Sequence, residues 1–155
     1  MLHQLNFPHY QFKLRETAGK PEVFDPVRRK FVALTPEEWV RQHVIRYLSE
    51  DRKYPISLIH VEGGLELNNQ KKRFDLLVYN NLGQPQVLVE CKAPGVKISQ
   101  AVFDQAARYN MAFKVSLLFV SNGLEHYCCQ VDFEKESITF LNTIPQYNTE
   151  IPIVS

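Results

Sequence analysis

Residues 71–94 have the sequence KKRFDLLVYNNLGQPQVLVECKAP, and this stretch decides the fold that we predict. Two apolar segments within it, residues 74–79 and 86–92, have the composition of buried strands, and the Asn-Asn-Leu-Gly between them is typical of a turn. Buried strands rarely carry charged residues, yet these two contain an aspartate, a glutamate and a lysine. The charged residues of this predicted hairpin are therefore the first candidates for a functional site.

The register of the hairpin predicts that two carboxylates face each other. We expect Val78 to pair with Val87 across the turn. In that register Asp75 lies opposite Glu90 on the neighbouring strand. Side chains alternate along a strand, so Lys92 shares a face with Glu90. The sequence thus predicts a pair of acids with an ammonium group beside them.

This combination of charges has two interpretations. Two buried carboxylates repel each other, and a divalent cation such as Mg²⁺ removes that repulsion by taking both as oxygen ligands. Lys92 could then orient or activate an attacking water, or stabilise the charge that builds on phosphorus. Alternatively, the two acids only form ion pairs with Arg73 and Lys92 at the end of a strand. The spacing alone leaves both interpretations open, because isolated patterns of this kind arise by chance.

The composition bounds the class of protein without choosing a function. With 155 residues, 45% of them hydrophobic, the chain is predicted to form one domain with a proper core. It has no apolar run that could span a bilayer and no signal-like N-terminus, so we expect a soluble, cytoplasmic protein without a membrane partner. The net charge of +1 neither demands nor excludes a nucleic acid. The three cysteines are an odd number, which disfavours a disulfide framework, and we expect reduced thiols.

Residues 35–38, Thr-Pro-Glu-Glu, predict the start of a first helix of about 14 residues. Its apolar stripe consists of Val40, Val44 and Leu48. Glu37 lies on this stripe, whereas Glu38 lies to its side and is assigned to capping of the helix. An unpaired carboxylate that faces the core is costly, so Glu37 becomes a candidate third acid for the metal site. The alternative role for Glu37 is a favourable interaction with the helix dipole.

A second helix is predicted after the hairpin, from Ser99 as its N-cap to about Phe113. Its apolar stripe consists of Val102, Ala106, Tyr109 and Phe113. Gln105 lies one turn before Tyr109 on the same side, where a glutamine needs a polar partner. It could reach Lys92, a metal-bound water or a substrate phosphate. The alternative is a hydrogen bond to nearby backbone.

The remaining segments predict a single domain, residues 1–155, in three parts. These parts are a β extension at residues 1–34, a core at residues 35–129, and C-terminal strands with a tail at residues 130–155. Further strand predictions cover residues 10–14, 22–34 as a hairpin, 56–62, 115–120, 130–133 and 137–141. We expect the N-terminal extension to pack at the edge of the main sheet.

A basic cluster, Lys71, Lys72 and Arg73, precedes the central hairpin. Positive charge beside a carboxylate pair could draw in the phosphate backbone of a nucleic acid. Three adjacent charges at the entrance of a strand are also compatible with simple solvation, and the sequence leaves both possibilities open.

Several motifs, taken in their order along the chain, resemble those of a known nuclease superfamily. Asp75, the segment Glu90-x-Lys92 and the segment Gln105-x-x-x-Tyr109 are similar to the motifs of the PD-(D/E)xK superfamily. Three further segments resemble the N-terminal nuclease domain of type I restriction enzyme motor subunits, and more closely its small stand-alone relatives. These segments are TPEEWVRQ at residues 35–42, RFD at 73–75 and VECKAP at 89–94. The resemblance covers roughly residues 35–129, and each motif lies on the expected element.

The resemblance implies a restriction-endonuclease-like α/β fold of three layers, with a mixed central sheet, an αβββαβ core and β extensions at both ends. It also implies Mg²⁺-dependent hydrolysis of DNA phosphodiesters, with Mn²⁺ able to replace Mg²⁺. The metal ligands that it implies are Asp75, Glu90, Glu37 and the backbone carbonyl of Cys91. The residues that it implies for catalysis are Asp75, Glu90, Lys92 as the catalytic lysine, and Gln105 and Tyr109 in support.

Two features depart from the pattern of these families. The proline that precedes the aspartate in the superfamily is Phe74 here. The large restriction subunits couple this domain to a helicase motor, for which 155 residues leave no room. We therefore expect a stand-alone copy to act with a helicase or other protein partner, to nick DNA unaided, or to have lost its substrate. The alternative function is a catalytically silent nucleic-acid-binding or assembly module that retains the fold.

Overall fold

The computed structural model describes residues 2–67 and 70–147, and the side chains of residues 62–73, Tyr109, Ala112 and Phe113 are outside this description. The helices are α1, Pro36–Arg46, and α2, Gln100–Phe113. The strands are β1 Leu14–Thr17, β2 Lys20–Asp25, β3 Lys30–Ala33, β4 Ile59–Leu67, β5 Gln70–Tyr79, β6 Pro85–Cys91, β7 Leu117–Ser121, β8 His126–Asp132 and β9 Ser137–Leu141. Within the described residues, no helix is both long enough and apolar enough to cross a membrane.

Six strands form the central sheet, in the order β4-β5-β6-β7-β8-β9. Neighbouring strands are antiparallel except β6 and β7, which are parallel. Parallel neighbours need a long crossover connection, and the segment that contains α2 supplies it. The predicted mixed sheet is confirmed, as is the order helix, strand, strand, strand, helix, strand.

The central hairpin consists of β5 and β6 and has the predicted register. Val78 pairs with Val87. Asn80 closes the turn, since its side-chain oxygen accepts two backbone N–H groups, each at a distance of 2.9 Å. Continued to the far end of the hairpin, this register brings Asp75 next to Glu90, as the sequence predicts.

Two apolar cores lie on opposite faces of the central sheet, and they make the fold three-layered. The core on the α1 face includes Val40, Val44, Leu76, Val89 and Cys91. The core on the α2 face includes Leu77, Leu88, Ala106, Leu118 and Val120. Consecutive strand residues contribute to opposite cores, which is why residues 76–78 of β5 and 87–89 of β6 are apolar without alternation.

Helix α1 is covered on two sides rather than along one stripe. Thr35 is its N-cap, as predicted, and accepts the backbone N–H of Glu38 at 3.0 Å. The central sheet covers one side, and the N-terminal region covers another through contacts such as that of Gln42 with Asp25. The residues of α1 that are buried as a result are Glu38, Val40, Arg41, Gln42, His43, Val44 and Ile45.

The N-terminal strands β1, β2 and β3 form a separate three-stranded sheet, so the prediction that they extend the edge of the main sheet is wrong. The predicted hairpin at residues 22–34 is confirmed as β2 and β3. The predicted strand at residues 10–14 is also wrong, because regular pairing starts only at Leu14. Alternation of side chains marks a possible strand, but it does not supply a neighbour to pair with.

Two other strands of the main sheet are longer than predicted. β4 continues through Gly63 and Gly64, which pair with Phe74 and Arg73 on β5 instead of ending the strand. β8 begins at His126 and pairs with β7 along its first half. In both cases the neighbouring strand offers hydrogen-bond partners that local composition does not show.

Candidate active site

Asp75 is held by two elements that meet at the end of the central hairpin. Its Oδ2 accepts the backbone N–H of Cys91 on β6 at 2.7 Å. Its Oδ1 accepts a hydrogen bond from Nη2 of Arg41 on α1 at 3.0 Å, which is also an ion pair. Both carboxylate oxygens are therefore bound, and the orientation of the group is fixed by the strand and the helix together.

Glu90 lies beside Asp75 and pairs with Lys92. The Nζ of Lys92 is 3.3 Å from Oε1 of Glu90, which confirms that the two side chains share a face. Burial, followed by the negative charge of Asp75, raises the pKa of Glu90 to about 7, although Lys92 acts in the opposite direction. The carboxylates thus repel each other as predicted, and Lys92 compensates only part of that repulsion.

The site is open to solvent on one side. The side chains of Asp75, Glu90 and Lys92 are 14%, 21% and 32% exposed. Arg41, by contrast, is only 6% exposed and lies behind Asp75. A substrate can therefore approach the carboxylate pair and Lys92, whereas Arg41 contacts the site from the protein interior.

Glu37 does not face the core, and that prediction is wrong. Its side chain is 48% exposed, and its closest ion pair is a loose one of 3.9 Å with Arg41. Partial burial and the charge of Asp75 raise its pKa, so it lies in the electrostatic neighbourhood of the site. Among the residues that the structure describes, no group of three or more histidines, cysteines, aspartates or glutamates is arranged to hold a metal ion.

Glu38, assigned to helix capping, is instead a member of a buried network of charges. Only 7% of the residue is exposed. Its Oε1 accepts hydrogen bonds from Arg41 at 2.9 Å and from Arg28 at 2.8 Å. Sequence reasoning missed both arginines, although the spacing of Arg41 from Glu37 and Glu38, four and three residues, is the spacing of ion pairs on a helix.

The residues assigned to α2 and to the basic cluster are only partly described. Gln105 is exposed, so the prediction that it lies on a buried stripe is wrong. The side chain of Tyr109 lies outside the described residues, as do those of Lys71, Lys72 and Arg73. The possible pairing of Asp75 with Arg73 is therefore not tested, but the arginine that does contact Asp75 is Arg41.

The donor atoms at this site fit a divalent cation of the Mg²⁺ type. Mg²⁺ prefers oxygen ligands and usually takes one or two carboxylates, with water and substrate phosphates in its other positions. Asp75 and Glu90 offer two adjacent, solvent-accessible carboxylates whose repulsion is only partly compensated. The absence of a third acid in the described part of the chain does not conflict with such an ion, because a cage made of protein ligands alone is unusual for it.

The cysteines take no part in this chemistry through their thiols. All three, Cys91, Cys128 and Cys129, are free and buried, in agreement with the expectation of reduced thiols. Burial raises the pKa of each thiol, to about 12 for Cys128 and about 11 for Cys129. A buried thiol that stays protonated is a poor nucleophile and a poor metal ligand. Only the backbone of Cys91 is placed at the site, where its N–H binds Asp75.

Comparison with known families gives one match along the greater part of the chain. The model of a family described as the N terminus of type I restriction enzyme R proteins matches residues 36–145. The matched range is more than half of the chain and contains α1, the central hairpin and α2. All the residues that form the candidate site lie within it.

Comparison with solved structures supports the same fold. A fragment assigned to the HsdR subunit of a type I restriction enzyme from Vibrio vulnificus YJ016 is similar, with a TM-score of 0.53 and 18% sequence identity. The similarity covers 73% of this chain but 24% of the other, so this chain spans about a quarter of its relative. No curated protein matches the sequence. The restriction-endonuclease-like fold that the sequence predicts is thus confirmed.

Proposed function

Since the chain belongs to the family of type I restriction enzyme R protein N termini, we propose that it is a metal-dependent nuclease that hydrolyses DNA phosphodiester bonds. The observation that carries this proposal is the solvent-accessible pair of Asp75 and Glu90, with Lys92 at 3.3 Å from Glu90. A purely structural ion network would not need two adjacent carboxylates that raise each other's energy. The family itself is related to restriction, and the substrate that we propose follows from that relationship.

The proposed metal ligands are Asp75, Glu90 and the backbone carbonyl of Cys91, with Mg²⁺ as the ion and Mn²⁺ as its substitute. A bound divalent cation supplies Lewis acidity, which stabilises the negative charge that builds on the phosphate oxygens during hydrolysis. Glu37 is about half exposed, and its proposed role is to contact water or substrate at the rim of the site. It is not needed as a protein ligand.

The side chains of the protein have separate tasks in the proposed reaction. A water oxygen forms a bond to phosphorus while the bond to the leaving oxygen, in line with it, breaks; the proton that the water loses offsets the one that the leaving oxygen gains. Lys92 donates hydrogen bonds to the attacking water or to the phosphate and stabilises the developing charge. Glu90 holds Lys92 in this position through their ion pair.

DNA is the proposed partner, and contacts outside the carboxylate pair would hold it. The basic cluster Lys71, Lys72 and Arg73 is on β5, the strand that carries Asp75, and we propose that it binds the phosphate backbone. Gln105 and Tyr109 are on α2, and we propose that they support the site once substrate is bound. A helicase or another protein of a restriction complex is proposed as a second partner, because the relative of known structure is about four times as long as the matched part.

The proposal is tested by incubating purified protein with plasmid and single-stranded DNA in the presence of Mg²⁺ or Mn²⁺. We expect cleavage by the wild type and its loss in Asp75→Asn and Lys92→Ala. Matched controls are Asp104→Asn and Lys97→Ala, which change an exposed aspartate and an exposed lysine and should cut normally. Equal cleavage by Asp75→Asn and wild type would refute the assignment of the site.

A catalytically silent nucleic-acid-binding or assembly module is the second candidate. It is favoured by the observation that each carboxylate already has a cationic partner, Arg41 for Asp75 and Lys92 for Glu90. For such a module, DNA binding without cleavage is expected across a series of metals, with Asp75→Asn binding as well as the wild type. A rise in melting temperature with Mn²⁺ in the wild type, but not in Asp75→Asn, would show that the pair does hold an ion.

A further inference from the structure

We infer that Arg41 is a positioning residue of the proposed nuclease site, which fixes the Asp75 carboxylate and connects it to the separate N-terminal sheet. The role of Arg41 in catalysis rests on the proposed function. The contact between Arg41 and Asp75 does not depend on that function. Arg41 lies within the segment TPEEWVRQ, but the resemblance assigns it no role, and it reaches the site from α1, behind the carboxylate pair.

Asp75 is bound through both of its carboxylate oxygens. Arg41 Nη2 contacts one carboxylate oxygen at 3.0 Å, and the Cys91 N–H contacts the other at 2.7 Å. One contact would leave the carboxylate free to rotate about its last bond, whereas two contacts to different oxygens do not. A ligand held in this way keeps its geometry before any ion or substrate arrives, which is what precise placement of reacting groups requires.

Arg41 is itself bound by Glu38. Its Nη1 donates to Glu38 at 2.9 Å, so the planar guanidinium bridges a structural acid and the candidate catalytic acid. Lysine could not replace it, because an ammonium is a point charge without two separate donor groups in a plane. Since Arg41 is 6% exposed, the bridge is shielded from water, and ion pairs in such surroundings are stronger than at a surface.

This bridge is linked to the N-terminal sheet. Arg28 Nη2 donates to Glu38 at 2.8 Å, and Arg28 Nε donates to Asp25 at 2.6 Å. Gln42 donates to the same two acids, at 3.2 Å to Glu38 and 3.0 Å to Asp25. Asp25 ends β2 and is fully buried. The turn between β2 and β3 is therefore the outer support of a chain of ion pairs that ends on Asp75.

Arg41 and Arg28 have different roles in this network, so Arg28 provides a matched control for Arg41. Both arginines bind Glu38, and both are expected to stabilise the fold through it. Of the ion pairs that the structure shows for Asp75, however, the one from α1 is made by Arg41. Loss of Arg28 should weaken the network without releasing Asp75. Loss of Arg41 should do both.

The contact is tested without metal by a double-mutant cycle on thermal unfolding. We expect the fall in melting temperature of Arg41→Gln combined with Asp75→Asn to be smaller than the sum of the falls in the two single variants, because the pair is already broken by the first change. The deviation from additivity should be clearly smaller for Arg28→Gln with Asp75→Asn, because Arg28 binds Glu38 and Asp25. Additive falls for Arg41 and Asp75 would overturn the inference.

The positioning role is tested by titrating Mn²⁺ into the DNA-free protein in a calorimeter. Arg41→Gln is expected to bind Mn²⁺ about 10-fold to 100-fold more weakly, the usual cost of losing a group that orients a metal ligand. Arg28→Gln should lose clearly less Mn²⁺ affinity than Arg41→Gln, because Arg28 is linked to Asp75 through Glu38 and Arg41. The double variant Glu38→Gln, Arg41→Gln also removes the Glu38 charge that Arg41 balances, so it should recover melting temperature relative to Arg41→Gln but not Mn²⁺ affinity. If Arg41→Gln does not fold, the Mn²⁺ affinity of the double variant is compared with that of the wild type in its place.

The two experiments separate failure of this inference from failure of the proposed function. If wild type neither binds Mn²⁺ nor cuts DNA, the proposed function fails, and the metal-free cycle still decides whether Arg41 holds Asp75. If wild type binds Mn²⁺ and the double variant binds it equally well, Arg41 is a structural residue only, and the inference is overturned.

Discussion

His43 lies on α1 within a group of aromatic rings, and it links the stability of the fold to pH. The ring centroids of Trp39 and Phe12 are 4.4 and 4.7 Å from that of His43. Its Nδ1 donates to the Trp39 carbonyl at 2.8 Å, because a carbonyl oxygen can only accept. Burial lowers the pKa of His43 below its usual value, and the neighbouring His9 lowers it further.

Acid is therefore expected to destabilise the protein through His43. A histidine whose pKa is lowered in the folded state binds more protons when unfolded, so stability falls as the pH drops through the unfolded pKa of about 6.5. His43→Phe keeps an aromatic ring in place but has no imidazole to titrate. We expect its melting temperature to fall less than that of the wild type between about pH 7 and about pH 5.5. The measurement is circular dichroism during heating.

The control for His43 is His60→Gln, at an exposed histidine of β4. This variant should keep the acid sensitivity of the wild type. Some sensitivity should remain in His43→Phe as well, because burial also lowers the pKa of His126. An unchanged loss of melting temperature in His43→Phe would contradict the account of this residue.

Single residues also show where sequence reasoning reaches its limit. Asp75, Glu90 and Lys92 were predictable as a cluster because strand alternation and the hairpin register are local rules. The environments of Glu37 and Glu38 were not, because that of Glu38 depends on Arg28 near the separate N-terminal sheet and that of Glu37 on the way α1 packs beside Asp75. The prediction treated a buried carboxylate as costly, but Glu38 is buried with two arginines that offset the cost.

At the level of elements, the turn between β7 and β8 is a point where the N-terminal segment docks. Gly123 has φ of 88°, and a Cβ placed there would lie 2.8 Å from Leu5 Cδ2 and 3.1 Å from Val40 Cγ2. Both neighbours are buried, and Val40 is stiff because it is β-branched. The turn therefore requires glycine for conformation and for space.

Gly123→Ala is expected to destabilise the protein more than Gly83→Ala. Gly83 has φ of 76° but nothing within 4 Å of its added Cβ. Both changes carry the cost of a left-handed residue, about 1 to 2 kcal/mol. Gly123→Ala adds overpacking against Leu5 and Val40, typically about 1 to 3 kcal/mol. Urea unfolding measures the difference, and equal destabilisation would show that the N-terminal segment does not dock tightly.

Elements with local signals were predictable, and those that depend on distant partners were not. Thr35 and Ser99 both cap the helices that they were expected to start. The extension of β4 through two glycines and the start of β8 at His126 needed a neighbouring strand. The separate sheet of β1, β2 and β3 contacts α1 through buried polar groups such as Asp25 and Gln42, and hydrophobic periodicity does not reveal such contacts.

At the level of the whole molecule, three parts of the fold converge on one carboxylate pair. The central hairpin carries Asp75 and Glu90, α1 supplies Arg41, and the N-terminal sheet supports Arg41 through Glu38. The sequence indicated the hairpin pair, but on α1 it singled out Glu37, whereas the residue that contacts Asp75 is Arg41. The geometry of the site therefore depends on contacts between segments that are far apart in the chain, from Asp25 to Lys92.

The most direct test of the account is a crystal structure of the protein grown with Mn²⁺, with the ion located by its anomalous signal. We expect a single strong peak against oxygens of both Asp75 and Glu90, with Arg41 still bound to Asp75 on its far side. The same experiment on Asp75→Asn should give no peak there. A wild-type crystal at saturating Mn²⁺ without a peak between the two carboxylates would contradict the proposal that this pair is the metal site of a nuclease.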